Sequence, residues 1–314
     1  MDNLIFSLNA TIPVFLLMVL GLVFRRIGWI DEAFASKLNQ FVFRVPLPLL
    51  VFEDLATVDF SQIWNVKFVL FCFVATLLSI LLCAGISMLW KDPAIRGEFI
   101  QASYRSSAAL LGIAFIQNIY GSAGMGPLMI IGSVPLYNMM AVVVLSVFRP
   151  GQQGLDKTVV KRTMTGIVTN PIILGIVAGL LWSALGLALS GIPGKTIRNI
   201  ASMATPLGLM AMGASFDIQK AVQKGRLAIV ASVMKLVGFC VIFLPVAIAL
   251  GFREEELVAI LVMLGSATTV SCYVMARNMG HEGVLTSSTV MLTTLFSAFT
   301  LTGWLFLLRS AGLI

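Results

Sequence analysis

The chain has 314 residues, of which 59% are hydrophobic and 11% charged, and its net charge is +7 at pH 7; the mean hydropathy is +0.99. A water-soluble core needs far fewer apolar residues, so the composition describes a polytopic membrane protein and leaves little of the chain for a soluble domain. Cys72, Cys83, Cys240 and Cys272 all lie in apolar runs with no CxxC pair, and His281 is the only histidine. Neither a disulfide framework nor a zinc site is expected, and nothing calls for a cofactor.

A helical span needs about 20 mainly apolar residues to cross a hydrocarbon core about 30 Å thick. The first such run, 5–25, is longer than a signal-peptide core, with no basic region before it and no A-x-A-like site after it. It reads as a retained span. Runs 34–53, 68–89, 99–120 and 127–148 follow, then a short polar connection, then 166–189, 197–216, 227–250, 257–277 and 285–308. Apolar length thus predicts an all-α membrane protein of ten spans. It divides into a five-helix unit over 1–149, a cytoplasmic connection over 150–165 and a second five-helix unit over 166–314.

Lysine and arginine sort across these loops. With the N-terminus outside, thirteen fall on the inner side and five on the outer, which places both termini outside the cell membrane. The positive charge then belongs to loops facing the anionic lipid of the bilayer, and needs no nucleic-acid partner.

The two halves resemble each other. "PVFLLMVLGL" from Pro13 matches "PIILGIVAGL" from Pro171 at an offset of 158, and "PLPLL" from Pro46 matches "PLGLM" from Pro206 at 160. Ser107-Ala meets Ser266-Ala, and "GSAG" from Gly121 meets "GHEG" from Gly280, both at 159. Because five spans is an odd number, the second unit enters from the opposite side, giving an inverted repeat. In such proteins the ligand site lies where matched spans are interrupted near the midplane. The interrupted pair here is spans four and nine, "SYRSSAALLGIAF" and "MLGSATTVSCYVMA".

"NPIILGIVAGL", "PLYNMMAVVVLSVF", "TPLGLMAMGASF" and, above all, "YVMARNMGHEGVLTSSTVMLTTLFSAFT" make this chain resemble the auxin efflux carrier family, whose bacterial members include malate- and malonate-type transporters. The resemblance covers most of the chain. It implies two five-helix repeats, broken fourth and ninth helices crossing at the substrate site, and a scaffold of spans one, two, six and seven that often pairs two protomers. The family usually carries an N-x-x-x-x-G-x-P pattern in span four and a proline in span nine. This chain has Ser107, Gly112 and Ala114 in the first place and Ala267 in the second, so both prolines are missing and with them the strongest helix breaker. Serine and glycine are left to weaken the helix.

Arg44, Arg105 and Lys235 fall inside spans, roughly 10–14 Å from the cytoplasmic end at about 1.5 Å per residue. For Arg44 and Lys235 the favoured reading is a side chain leaning back to the interface. Arg105, directly before Ser106 and Ser107, reads as a partner for a carboxylate, because a cation at that depth costs about 2.5–3.5 kcal/mol and needs a purpose. Ser106, Ser107, Ser266, Thr268 and Thr269 bring hydroxyls from both halves, and Asn138 is an amide deep in span five that needs a partner. These seven, counting Arg105, are the expected substrate-binding residues, with Gly112, Ala114 and Ala267 at the helix crossover.

No acid falls in the middle of a predicted span; Glu53 and Asp54 sit at the outer end of span two. No buried carboxylate relay for proton coupling is apparent, and a sodium ion held by carbonyls and hydroxyls, or no coupling ion at all, stays open beside it. The expected function is a secondary carrier of small organic anions, carboxylates or auxin-like acids, working by alternating access. An anion channel is the alternative, and a membrane-embedded enzyme lacks the histidine or acid pair its chemistry would need.

Overall fold

In a computed structural model the protein is all-helical over its described residues, which are 2–57, 65–108, 112–121, 124–151, 164–166 and 168–314. Most of the connection 150–165 lies outside them, as do residues 109–111 of the fourth expected span and Ser122 and Ala123 of the "GSAG" repeat match.

Helix α1 runs over Asp2–Arg26, α2 over Glu32–Arg44 and α3 over Pro46–Ala56. The expected second span is therefore two helices. Pro46 has no N–H to give and restricts the residue before it, and Val45 sits at φ −126°, ψ −70°, outside the helical range. Then come α4 (Val66–Ser87), α5 (Pro93–Tyr104), α6 (Ile113–Tyr120) and α7 (Gly126–Val147). The remainder is α8 (Pro171–Ala184), α9 (Gly191–Ala201), α10 (Ala204–Ala214), α11 (Ile218–Gln223), α12 (Gly225–Val233), α13 (Phe239–Ala249), α14 (Glu254–Gly265), α15 (Ser271–Asn278) and α16 (Val284–Ser310). A π-helical turn over Met234–Gly238 joins α12 to α13.

Side-chain caps open several of these helices. Asp31 accepts from Phe34 N–H, Asn65 from Phe68 N–H, and Asn170, just before Pro171, from Ile172 N–H, each satisfying a donor the helix itself leaves orphaned. Among the described residues four helical stretches are long and apolar enough to cross a membrane: Val66–Ser87, Gly126–Val147, Gly225–Ala249 and Val284–Ser310. Helix α4 turns Leu70, Leu78 and Leu81 outward, as a helix facing lipid does.

Two close helix pairs frame the interior, α1 on α10 and α3 on α8. Both depend on glycine. A Cβ at Gly21 would run into the backbone of Met210, and one at Gly179 into that of Phe52. The backbones can therefore meet without side chains between them, as small-residue helix pairs in membranes do.

Buried polar side chains tie the rest. Glu98 of α5 is 2% exposed, and its carboxylate accepts from Gly283 N–H at 2.9 Å, Thr286 N–H at 3.0 Å and Thr286 Oγ1 at 3.1 Å. It caps the N-terminus of α16 from another helix, where the orphan donors and the positive end of the helix dipole favour an anion. Glu98 stands one position before the expected fourth span, where its place in the sequence gives no sign of this role.

Candidate functional site

Helix α5 ends at Tyr104, and residues 105–107 are non-helical. Helix α14 ends at Gly265; Ser266 is extended at φ −74°, ψ 164°, and α15 starts at Ser271. The two interruptions face each other. Ser107 N–H donates to Ala267 O at 2.9 Å, Thr268 Oγ1 donates to Ala102 O at 2.9 Å, and Gln101 Nε2 donates to Cys272 O at 2.9 Å. Backbone groups freed in a bilayer interior must find protein partners, and each break supplies them to the other. Thr268 N–H, which a continuing helix would have sent to Leu264 O, goes to Thr293 Oγ1 at 3.0 Å. These bonds explain how the chain leaves the helix without proline: hydroxyls and an opposing backbone take over the lost ladder.

Arg105 lies inside the first break and is 2% exposed. Its Nη2 donates to Asn138 Oδ1 and to Ser271 Oγ, each at 2.7 Å, and its Nη1 contacts Met275 Sδ at 2.8 Å, while Nε has no partner. Asn138 Nδ2 donates back to Val134 O at 3.0 Å, which turns the amide oxygen toward the guanidinium. The buried amide has found the partner that its depth demands.

Lys235 corrects the sequence reading. It does not lean back to the interface; it is 0% exposed and points from the π turn into the second break. Its Nζ donates to Ser106 Oγ, to Leu264 O and, at 3.4 Å, to Met263 O. Ser106 Oγ in turn donates to Met263 O, and Tyr137 OH reaches the same carbonyl at 3.2 Å. Among the described residues neither Arg105 nor Lys235 belongs to an ion pair. Arg44, by contrast, is exposed, and with Arg277 it borders a polar cavity of about 180 Å³.

A cavity of about 60 Å³ opens beside the breaks. Of the expected site residues, Arg105, Ser106, Ser107, Asn138 and Thr269 line it. Ser266 and Thr268 do not; Thr268 is spent on the two bonds across the breaks, and Ser266 Oγ is buried without a partner. Of the crossover residues, Ala267 is in the second break, Gly112 closes the first with its N–H on Ser107 O at 3.3 Å, and Ala114 already belongs to α6. The first interruption therefore begins about two turns before the position where the family would have proline.

Three further polar side chains outside the expected set line the cavity: Asp54 of α3, Thr205 of α10 and Ser271 of α15. Asp54 is a correction, because a position at the outer end of the expected second span proves to be cavity wall once Pro46 restarts that span as a separate helix. Its signal was the proline eight residues before it. Ser271 carried a readable signal as well, standing two residues after Thr269. The depth of Lys235 was legible, but its inward turn was not, since a π turn has no sequence signature. Among the described residues no group of three or more histidine, cysteine or acidic side chains is placed to hold a metal.

The family model for a membrane transport protein, Mem_trans, matches residues 6–305. The chain belongs to this auxin efflux carrier-like family of membrane transport proteins. It is also similar, at 22% identity over 306 residues, to an "Uncharacterized transporter" of Methanothermobacter thermautotrophicus, a match covering 95% of this chain and 97% of that one.

Proposed function

We propose that the protein is a secondary carrier of small organic anions that binds its substrate beside the two facing helix breaks and moves it by alternating access. The observation that carries this reading is Arg105, a buried guanidinium with no acidic partner among the described residues, an Nε without a partner and a place in the wall of a cavity. A cation held this way is costly in a membrane and favours a carboxylate, which a guanidinium can grip through two parallel hydrogen bonds. Ser107, Asn138, Thr269 and Ser271 surround it with neutral hydrogen-bonding groups. The polar cavity at Arg44 and Arg277 supplies a cationic approach along the same helices.

The inverted ten-span architecture belongs to the same proposal. Gly21 on the Met210 backbone and Gly179 on the Phe52 backbone are related by the sequence offset of 158. The split at Val45 has a counterpart at Ser202 and Met203, between α9 and α10. Matched interruptions in both halves are what an alternating-access carrier uses to bind at its centre and rock about it.

Asp54 in the cavity wall favours a second reading, a zwitterion whose carboxylate meets Arg105 and whose ammonium meets Asp54. Dicarboxylates, indole acids and amino acids should be compared for thermal stabilisation of the purified protein and for saturable counterflow in vesicles. The anion reading expects dicarboxylates or indole acids to act and Arg105→Gln to abolish the effect. Unchanged affinity and rate in Arg105→Gln would remove Arg105 from the site, and flux without saturation or counterflow would make the protein a pore.

A further inference from the structure

The second break contains a cation site that is already filled. Helix α14 ends at Gly265, so the carbonyls of Met263 and Leu264 stand at a helix C-terminus, where the dipole presents partial negative charge. Leu264 O has lost its helical donor, because Thr268 N–H is bound to Thr293 Oγ1. Unwound carbonyls and half-helix C-termini of this kind hold the coupling sodium in carriers that use one. Here the Nζ of Lys235 takes the place, donating to Leu264 O, Met263 O and Ser106 Oγ, one acceptor for each of its three N–H groups.

The neighbouring helix is shaped to deliver it. The regular α-helical pattern gives way to a π turn over Met234–Gly238, and such bulges re-aim side chains. Trp304 Nε1 donates to Leu236 O at 3.1 Å, covering a carbonyl in that turn. Gly265 has no side chain to hold the helices apart; a Cβ there would lie 2.7 Å from Cys240 Sγ.

We propose that the Lys235 ammonium is a tethered substitute for a coupling sodium ion. It fills the carbonyl and hydroxyl cage of the second break, so that the broken helix keeps its geometry, and substrate binds, without a dissolved cation. The proposal rests on the carrier reading for its meaning in transport, while the cage itself is tested by stability alone.

The test is thermal unfolding of the purified full-length protein in sodium chloride, methylammonium chloride or N-methylglucamine chloride at equal ionic strength. The native protein is expected to melt at the same temperature in all three. Lys235→Ala is expected to melt several degrees lower in N-methylglucamine and to recover about half of that loss in sodium or methylammonium, ions small enough to enter the emptied cage. Lys235→Met, which fills the space without charge, should gain nothing from either ion. Equal melting of Lys235→Ala in all three salts would overturn the proposal, and so would a sodium requirement for stability or for anion uptake by the native protein. That last measurement still decides if neither variant folds. If no anion stabilises the native protein while the salt response of Lys235→Ala stands, the carrier reading fails and the cation cage survives.

Discussion

The break after Tyr104 and the break after Gly265 are held open by different means. The first carries its own charge. Arg105 sits within it and reaches outward to Asn138 on α7 and Ser271 on α15, leaving Nε without a partner. The second borrows its charge from a neighbour, with Lys235 filling the carbonyl cage. At the offset of 159 that separates Ser107-Ala from Ser266-Ala, the counterpart of Lys235 is Thr76, a neutral hydroxyl 4.0 Å from Met263 Sδ. The two breaks thus hold two unlike cations, one with an unpartnered Nε in a residue that lines the cavity and one whose three N–H groups are all spent on two carbonyls and a hydroxyl. A group with every donor satisfied stabilises structure, and a guanidinium with donors left over keeps capacity to bind.

The contrast breaks most directly at Arg105. Arg105→Met should weaken anion binding by about 2 kcal/mol, or about thirtyfold in Kd, since hydrogen bonds to a charged group are worth roughly that much; titration calorimetry or thermal shift measures it. If Lys235→Met lowered affinity as much at unchanged stability, the two cations would share one role and the distinction would collapse.

Glu98→Gln probes the anchor that holds α5, and with it the first break, to α16. One amide oxygen cannot replace two carboxylate oxygens accepting three bonds, so stability should fall by about 1.5 kcal/mol in thermal unfolding. Anion affinity should change less than it does in Arg105→Met. Smaller again is Ser106→Ala, which removes the hydroxyl between Lys235 and Met263 O and should cost about 1 kcal/mol. Ser107→Ala keeps its backbone bond to Ala267 O and should cost less. Equal losses from the two serines would show that the hydroxyl relay contributes nothing.

The smallest effect lies outside the breaks, at the surface pair of Lys224 and Glu282, 2.8 Å apart. The hydrogen bond and charge of Lys224 hold the Glu282 carboxyl below its ordinary 4.5. Its stabilisation is therefore complete above pH 4.5 and is lost as pH falls through the lower folded value. In an exposed, screened pair this is worth at most about 0.5 kcal/mol. Glu282→Gln should flatten that part of the stability profile below pH 4.5 without altering anion affinity.

Much of the candidate site could be read from local chemistry. Hydroxyls, an arginine and an amide inside apolar runs are conspicuous because a bilayer leaves them no water, and Arg105, Ser106, Ser107, Asn138 and Thr269 do line one cavity. Ser266 and Thr268 carried the same signal and are absent from that lining, because residue type does not say whether a hydroxyl faces a cavity or a neighbouring backbone. Asp54 stands at the outer end of the expected second span, and that position changes meaning once Val45 splits the span.

Sequence by itself determined the class of molecule: apolar run length dictates membrane helices, and the spacing of glycine, proline and serine marks where helices meet or weaken. Only the tertiary structure decided what the cations do. A lysine in an apolar run can snorkel to water or turn inward, and the choice depends on whether another element presents unpaired carbonyls within reach. For Lys235 those carbonyls lie 28 and 29 residues away in the chain, at the end of a helix whose stopping point is set by contacts across the protein.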